Sequence, residues 1–400
     1  MLTRRDFLRS SSLMALASSV PLFVGRTARA AAVDADSRVL VIVQLDGGND
    51  ALNTVVPHGD PNYRKLRSRL KIDKKELISL ADGIGLHPSF KPLDRLLQAG
   101  QLAAIPGVGY PNPNRSHFES MAIWHSARLD SEERKSYGWV GRGLDARAET
   151  AYAIGNAAPA ALRGRRSTAI TLGRIEEVLL TGAAAYDSLP QESEKGKGAA
   201  ESAATSDLLA FVRRQAVDAH AAAAKLAKLS AGDDAGRYPG TGLAERLRLV
   251  ARLLKSNLGA RVYYTTQSGY DTHATQVFVH ANLLSEFAGA VAAFFDDLEA
   301  ARLADRVTLL AFSEFGRTIE ENGSAGTDHG TAGAVFVAGP GVRGGLAGTM
   351  PSLIDLDDGE PKMTTDFRRV YAAVLQDWLG INAKDILAQN FESLPIYRQG

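Results

Sequence analysis

Residues 38–45 read RVLVIVQL and decide the fold. This run is apolar and rich in β-branched side chains, which is typical of a strand buried on both faces of a parallel sheet. Four later runs have the same character: QLAAIPG at 101–107, RVYYTT at 261–266, RVTLLAF at 306–312 and GAVFVAG at 333–339. The sequence therefore predicts a sheet built from at least these strands.

Helical patterns lie between the predicted strands. Residues 87–100 have a proline in the first turn and end at Gly100, residues 277–304 form a long amphipathic stretch, and residues 365–380 begin at a cap, Thr365 or Asp366, and end at a glycine. Strands that alternate with helices predict an α/β fold with a mainly parallel central sheet.

Composition excludes several classes of protein. The chain has 400 residues, of which 45% are hydrophobic, enough for one large domain or two smaller ones. A net charge of +1 is far from the basic excess of nucleic-acid-binding proteins, so no nucleic-acid partner is expected. The chain has no cysteine, so any metal must be bound by oxygen and imidazole ligands.

The N-terminus has the features of a targeting segment. An Arg4–Arg5 pair precedes a short apolar run, Leu13 to Val24, and the small-x-small pattern at 28–30 follows. We interpret residues 1–30 as a twin-arginine signal, which implies the twin-arginine translocase as a partner and a periplasmic or secreted product. The alternative is a membrane anchor, but the run is short for a span of about 20 residues. No later segment is expected to span a membrane.

Residues 31–400 are expected to form the α/β domain. Residues 188–207 are polar, charged and poor in large apolar side chains, and alanine-rich helical patterns flank them at about 207–230 and 242–257. We predict a helical insertion at about 184–258, which either acts as a lid or packs against the edge of the sheet.

Polar side chains follow four of the predicted strands. Ligands of open parallel sheets bind beyond the carboxyl ends of the strands, so four such ends predict one converging site. The residues concerned are Asp46 and Asn49 after the first strand, Arg115, Ser116 and His117 after the second, Asp271 and His273 after the third, and Ser313, Glu314 and Arg317 after the fourth.

The acids and imidazoles at these ends favour a divalent metal. Asp46 at the tip of a buried strand needs a cation or, alternatively, caps the next helix. The Asp328–His329 pair suits Zn²⁺ or Mn²⁺, although a turn with a capping aspartate gives the same pattern. Asp271 and His273 point the same way only in an extended segment; otherwise they are a capped helix start and a surface histidine.

Ser116 has two interpretations. With Glu119 three residues later it forms a capping box, which explains it without any chemistry. A hydroxyl at a helix N-terminus is also well placed as a nucleophile, and Arg115 beside it could clamp an oxyanion. His87 is expected to start a helix and is a candidate for the rim of the site. Glu314 and Arg317 are either a structural ion pair or a support for metal ligands.

The motifs VQLDGGNDALNTVVP, PNRSHFESMAIWHSA, GYDTHATQ and SEFGRT…GTDHGTAG resemble an exported bacterial family, domain of unknown function 1501. That family resembles the alkaline phosphatase superfamily, which includes sulfatases and cofactor-independent phosphoglycerate mutases. The resemblance implies an alkaline phosphatase-like three-layer α/β/α fold. It also implies a site of one or two divalent ions, Zn, Mn or Ca.

The resemblance implies roles for particular residues. Asp46, Ser116, Asp328 and His329 correspond to one metal site with its nucleophile, and Asp271 with His273 corresponds to the second. The second site lacks a ligand because no histidine follows His329, and His87 or His117 are candidates to supply it; Asn49 and Glu314 are additional rim candidates. The formylglycine motif of sulfatases is absent.

Two functions are therefore expected. The first is an exported metal-dependent hydrolase of phosphate or related oxyanion esters, in which Ser116 attacks and Arg115 or Arg317 orients a small-molecule substrate. The alternative is a catalytically degenerate relative that binds an extracytoplasmic ligand or partner protein. A third, weaker reading is a metal that only stabilises the fold.

Overall fold

The computed structural model describes residues 37–147, 149, 151–167, 169–173, 234–256 and 260–398. The export signal and residues 184–233 of the expected insertion lie outside the described residues, and both stay predictions.

The strands and helices of the described chain alternate as expected. The strands are β1 Val39–Asp46, β2 Val55–Val56, β3 Ile78–Ala81, β4 Ile84–Leu86, β5 Leu102–Gly109, β6 Ala151–Ile154, β7 Ala169–Leu172, β8 Val262–Ser268, β9 Val307–Phe312, β10 Gly333–Ala338, β11 Gly345–Leu346, β12 Leu356–Asp357, β13 Glu360–Pro361 and β14 Thr365–Asp366. The α-helices are α1 Ala51–Thr54, α2 Pro61–Leu66, α3 Asp94–Gln98, α4 His117–Ser126, α5 Ser131–Arg134, α6 Trp139–Asp145, α7 Gly242–Lys255, α8 Gln276–Ala300, α9 Phe367–Ala373 and α10 Ala383–Leu387.

Nine strands form the central sheet in the order β11-β5-β10-β9-β1-β8-β6-β7, with β14 also paired to β5. β1 lies in the middle and runs parallel to both β8 and β9. The five apolar runs of the sequence are all strands of this sheet. The prediction of a mainly parallel sheet is confirmed.

One strand runs against the others. β10 is antiparallel to both β5 and β9. The prediction that residues 333–339 continue the parallel pattern is therefore wrong in direction. The segment from β9 to β10 contains no helix, so the chain turns back at one edge of the sheet instead of crossing over. That return places Asp328 and His329 at the edge where the parallel strands end.

β1 is buried on both faces. Val41 and Val43 contact the hydrophobic core on one face, whereas Leu40 and Ile42 contact the core on the other. Helices α7 and α8 pack over the first face, and helices α4, α6 and α9 pack over the second. The molecule therefore has the three layers that the family resemblance implies.

Two predicted helices have different forms in the structure. Residues 87–100 divide into a 3₁₀ helix, Pro88–Leu93, and the short helix α3, because Pro92 lacks the N–H that a continuous α-helix requires. The helix at 365–380 begins with Asp366, whose carboxylate accepts a hydrogen bond from the Arg368 N–H, and ends in a π-helical turn, Val374–Trp378.

Helix α8 is long and apolar enough to cross a membrane by length and composition alone. The expectation that no segment after the signal is long and apolar enough to span a membrane is therefore wrong for α8. The reason for its composition is packing: Leu284, Phe287 and Phe294 are fully buried in the core beside the sheet. Helix α7, at the end of the expected insertion, packs on the same face, and the extent of that insertion stays a prediction.

Candidate metal site

Three segments meet at the edge of the sheet where β1, β8 and β9 end. They follow Asp46, Ser268 and Phe312, and the last of them leads back into β10. Helix α4, which begins at His117 after β5, reaches the same edge. The segments that follow these strand ends therefore converge, as the sequence predicts.

Asp271 is the centre of a cluster of imidazoles. Its Oδ1 atom lies 3.0 Å from Nε2 of His273 and 3.1 Å from Nε2 of His329. The two Nε2 atoms are themselves 3.0 Å apart. Oδ2 of Asp271 lies 3.7 Å from Nε2 of His117. We call these four residues the histidine cluster. The two metal sites expected from the sequence are thus not separate, because His273 and His329 share one carboxylate.

The Nδ1 atom of each cluster histidine is engaged by an oxygen acceptor. His117 donates to the buried carboxylate of Glu314 at 2.7 Å, His273 donates to Asp328 at 2.9 Å, and His329 donates to the carbonyl of Arg115 at 2.9 Å. A neutral imidazole that donates from Nδ1 has its lone pair on Nε2. All three lone pairs therefore belong to the atoms that face Asp271.

This donor set fits a divalent metal ion. Two Nε2 lone pairs 3.0 Å apart repel each other unless a cation or a proton lies between them. Ligand atoms about 2.0–2.1 Å from a tetrahedral zinc ion lie roughly 3.3 Å from one another, close to the separations in the cluster. Within the described residues, ligand atoms of His117, Asp271 and His329 all lie within 4.8 Å of one another. Oxygen acceptors behind metal-binding histidines are the usual supporting arrangement.

Electrostatics agree with an ionised Asp271. Burial raises its pKa, but the hydrogen bond and the charge of Arg317, together with the neighbouring imidazoles, outweigh burial, and the pKa lies below its ordinary value. The hydrogen bond to Glu314 raises the pKa of His117. His117 was only an additional candidate in the sequence, because the capping-box pattern of RSHFE explained the helix start without it. Its position directly after a strand-end serine was the available signal.

Asp328 supports the cluster from behind. Its Oδ1 accepts from His273 and, at 3.2 Å, from Nδ2 of Asn322. The His273 hydrogen bond lowers the pKa of Asp328. The prediction that Asp328 and His329 bind an ion as a pair needs correction in this respect: His329 faces the cluster centre, whereas Asp328 orients a neighbouring histidine.

Asp46 lies apart from Asp328 and His329. Its carboxylate accepts from Gln44 at 3.2 Å and from Ser268 at 3.4 Å, and no hydrogen bond or ion pair links it to either residue in the described chain. Burial, followed by the charge of Glu314, raises its pKa. The charge of His117, a member of the cluster, acts on Asp46, so the grouping of Asp46 with Ser116, Asp328 and His329 stays a prediction.

Ser116 occupies the N-cap position of α4 but does not cap the helix. Its side chain makes no capping hydrogen bond, so the capping-box interpretation is wrong. The residue is exposed, and its backbone N–H donates to Oδ1 of Asn114 at 2.8 Å. On either side of it, the Arg115 carbonyl binds His329 and the His117 ring belongs to the cluster. Within the described residues, the Ser116 hydroxyl makes no capping hydrogen bond, and both of its chain neighbours contact or belong to the cluster.

Arg115 and Arg317 differ in how accessible their guanidinium groups are to a substrate. Arg115 is partly exposed and contacts Asp358 at 3.3 Å. Arg317 is buried, and its guanidinium donates to the carbonyls of residues 47, 48, 270 and 327 and to the Asp271 carboxylate. Arg317 therefore positions Asp271 and the surrounding backbone, and its burial keeps it away from solvent. Its ion-pair partner is Asp271, so the predicted Glu314–Arg317 pair is wrong.

Asn49 and His87 lie outside the cluster. The Asn49 side chain is buried and accepts from His280 at 2.9 Å, and Nδ1 of His87 caps the 3₁₀ helix by accepting from the Ser89 N–H at 3.1 Å. Burial lowers the pKa of His87 to about 3. His87 starts a helix as predicted, but neither residue is an additional ligand of the histidine cluster.

A buried ion pair fixes the segment after β1. Asp50 and Arg67 are both fully buried and form hydrogen bonds of 2.6 and 3.1 Å. Arg67 also donates to the carbonyls of Thr318 and Ile319, at 2.7 Å each. Sequence analysis missed this pair because nothing in the local pattern connects residues so far apart. It ties the loop after β1 to the loop that carries Asp328 and His329.

Glycines let the loops approach closely. A Cβ atom on Gly326 would lie 2.2 Å from the carbonyl carbon of His273, and one on Gly330 would lie 2.4 Å from that of Arg317. Within the stretch GSAGTDHGTAG at 323–333, Gly326 and Gly330 are thus required by packing beside the cluster.

Fold and site together define a three-layer α/β protein with a candidate metal site at the edge where its parallel strands end. The chain belongs to the family described as Protein of unknown function (DUF1501), whose model matches residues 37–388. A search of the curated proteins finds no match.

Solved structures give distant similarities. The chain is similar to the C-terminal periplasmic domain of EcEptC from Escherichia coli in complex with Zn, at 9% identity and a TM-score of 0.37 over 75% of this chain and 72% of that chain. It is similar to the lipoteichoic acid synthase LtaP from Listeria monocytogenes, at 11% identity and 0.37 over 85% and 79%. A TAB5 alkaline phosphatase mutant with Mg bound gives 10% and 0.32 over 76% and 92%. At these values the similarities carry no argument about activity.

Proposed function

We propose that the chain is an exported, metal-dependent hydrolase of phosphate or related oxyanion esters. The observation that carries this proposal is the convergence of three Nε2 atoms on the Asp271 carboxylate, beside a serine whose hydroxyl makes no capping hydrogen bond. His117, Asp271, His273 and His329 would hold the ion. When bound, a divalent ion supplies Lewis-acid stabilisation of the charge that develops on an ester oxygen.

The donor set bears on the identity of the metal. Three imidazole nitrogens and one carboxylate suit zinc or manganese, whereas calcium prefers six to eight oxygen ligands. Of the metals expected from the sequence, calcium is therefore disfavoured.

Ser116 is the proposed nucleophile. Its Oγ forms a bond to the central phosphorus while the bond to the alcohol oxygen breaks, and the serine proton ends on the departing alcohol. Water then cleaves the serine ester, which releases phosphate and restores the hydroxyl. The N-terminus of α4, a helix of ten residues, favours the anionic substrate. Arg115 is the proposed group that orients the oxyanion, because its guanidinium has only an exposed partner.

The test is turnover of chromogenic phosphate monoesters, phosphate diesters and sulfate esters by the purified protein. Ser116→Ala should reduce turnover at least about a thousandfold without changing metal content. Ser136→Ala, which removes an exposed hydroxyl bonded to a local carbonyl, is the matched control and should leave turnover unchanged. Equal activity of Ser116→Ala and the parent protein would refute the nucleophile.

One observation favours the alternative, a relative that binds a ligand without chemistry. In the described chain no side chain accepts a hydrogen bond from the Ser116 hydroxyl, so no general base contacts it. Metal binding without turnover of any ester would support this function instead.

Export is proposed from residues 1–30 alone. Replacing both Arg4 and Arg5 by lysine should retain the protein in the cytoplasm of a host that has the twin-arginine pathway, and unchanged export would contradict the proposal.

A further inference from the structure

A pocket of about 360 Å³ opens beside the histidine cluster. Residues 109–115 form one wall, residues 331–332 a second, and residues 357–363 a third. The volume is at the lower end of the range for small-molecule sites, sufficient for a single ring or a short chain.

The pocket shares two walls with the cluster. Arg115 lines the pocket and lies two residues before His117, and Thr331 lines it and lies two residues after His329. Two residues of chain span at most about 7 Å. The distance from each wall of the pocket to the cluster is therefore no longer than a small ester molecule. The Arg115 carbonyl, bonded to His329, joins the two walls directly.

The lining suits an organic group attached to an anion. Pro111, Pro113 and Met363 supply apolar surface, Arg115 and Lys362 carry positive charge, and Asp357 and Asp358 carry negative charge. Arg115 contacts a carboxylate, that of Asp358, whose side chain is 91% exposed. Exposed pairs of this kind contribute little, so an anionic ligand can displace Asp358 at small cost.

The position of the pocket decides which part of a substrate it can hold. In an in-line displacement the leaving group departs on the side of phosphorus opposite the nucleophile. One wall of the pocket includes Arg115, which directly precedes Ser116, so a group bound there lies near the segment that carries the proposed nucleophile. A group bound there stays attached to phosphorus while the leaving group departs elsewhere.

We propose that this pocket binds the retained organic group of a phosphodiester and makes the protein selective for diesters over monoesters. The inference rests on the proposed function, because it takes Ser116 as the attacking group. A monoester has no second organic group, so the pocket would remain filled with water when a monoester binds.

Binding of inert ligands tests the pocket without turnover. Diphenylphosphinate imitates a diester and phenylphosphonate a monoester, and neither can be hydrolysed. Calorimetry with the metal-loaded protein should give a dissociation constant at least about tenfold lower for diphenylphosphinate. Met363→Trp, which fills the pocket, should remove that preference and leave phenylphosphonate binding unchanged.

Ile354→Trp is the matched control, because Ile354 is an exposed apolar residue of the segment between β11 and β12 and does not line the pocket. It should change neither dissociation constant. Equal affinity of the parent protein for the two ligands, or an equal loss of both in Met363→Trp, would overturn the inference.

Turnover separates this inference from the proposed function. Bis(p-nitrophenyl) phosphate and p-nitrophenyl phosphate are assayed with the same variants. If the diphenylphosphinate preference holds and Met363→Trp removes it, but neither ester is hydrolysed, the pocket stands and the hydrolase fails. If both esters are hydrolysed and Met363→Trp slows them equally, the hydrolase stands and the diester pocket fails.

Discussion

Nδ1 of His273 lies 2.9 Å from Oδ1 of Asp328, and this contact turns Nε2 of His273 towards Asp271. The adjacent acid and imidazole of the loop, Asp328 and His329, therefore have different tasks. His329 faces the centre of the cluster, and Asp328 sets the orientation and tautomer of a histidine from another strand end.

This relationship predicts a graded effect of Asp328→Asn on metal binding. The amide preserves the shape of the side chain but loses the charge that strengthens the hydrogen bond from His273. Loss of such a supporting partner weakens metal affinity by about 10–100-fold, without abolishing binding. Competition with a chromophoric chelator measures the affinity.

Asp82→Asn is the control, since Asp82 is an exposed acid in the turn between β3 and β4. An unchanged affinity in Asp328→Asn, or the same loss in Asp82→Asn, would show that Asp328 does not support the cluster.

Gly326→Ala should disturb the cluster through the backbone. The added Cβ meets the carbonyl carbon of His273 at 2.2 Å, so one of the two loops must move. Overpacking of this kind costs about 1–3 kcal/mol in the free energy of unfolding, and metal affinity should fall with it. Gly323→Ala lies in the same loop with no atom within 4 Å of its Cβ and should change neither quantity. Identical behaviour of the two variants would contradict the close packing.

The buried Asp50–Arg67 pair should be a main determinant of stability. Asp50→Ala leaves the Arg67 guanidinium buried without its counter-charge, which costs about 3–5 kcal/mol. The exposed Arg64–Asp73 pair provides the comparison, and Arg64→Ala should cost less than about 1 kcal/mol. Urea denaturation measures both. Similar losses in the two variants would mean that the buried pair contributes no more than a surface pair.

Glu360 should make stability depend on pH. Its carboxyl group is buried, Oε2 has no hydrogen-bond partner, and burial raises its pKa to about 7. When folding raises the pKa of a carboxyl group, the group contributes fully to the stability of the folded protein below its unfolded pKa, here near 4.5. That contribution is lost as the pH rises through the folded pKa of about 7. Glu360→Gln should therefore be more stable than the parent at pH 8, by up to about 3 kcal/mol, and similar to it at pH 4.5.

Glu321 provides a control, because its effect on stability should change with pH in the opposite direction. Burial raises its pKa, but hydrogen bonds from Ser68 and from the backbone of residues 69 and 70 outweigh burial and lower the pKa to about 2. Its contribution is present above pH 4.5 and is lost as pH falls towards 2. Glu321→Gln should thus be destabilised at neutral pH and approach the parent in acid. The same pH trend in both variants would refute the assignment.

The sequence was sufficient for the sheet because burial on both faces produces continuous apolar runs such as residues 38–45. The direction of β10 was not recognised, although the helix-free connection from β9 argued against a parallel crossover.

At the site, the strand ends identified the correct edge but not the grouping of residues. Whether Asp46 or His117 faces His329 depends on side-chain directions fixed by distant contacts, such as the hydrogen bonds from His117 and from the Gly47 N–H to Glu314. Local patterns carry no information on these contacts. The sequence therefore did not show that His117 belongs to the cluster.

The central claim is that His117, Asp271, His273 and His329 bind one divalent metal ion. Anomalous diffraction from crystals of the metal-loaded protein, recorded at the absorption edge of the bound metal, tests it most directly. We predict a peak bounded by the three Nε2 atoms and a carboxylate oxygen of Asp271. A peak elsewhere in the molecule, or none in protein that was saturated with zinc or manganese, would contradict the claim.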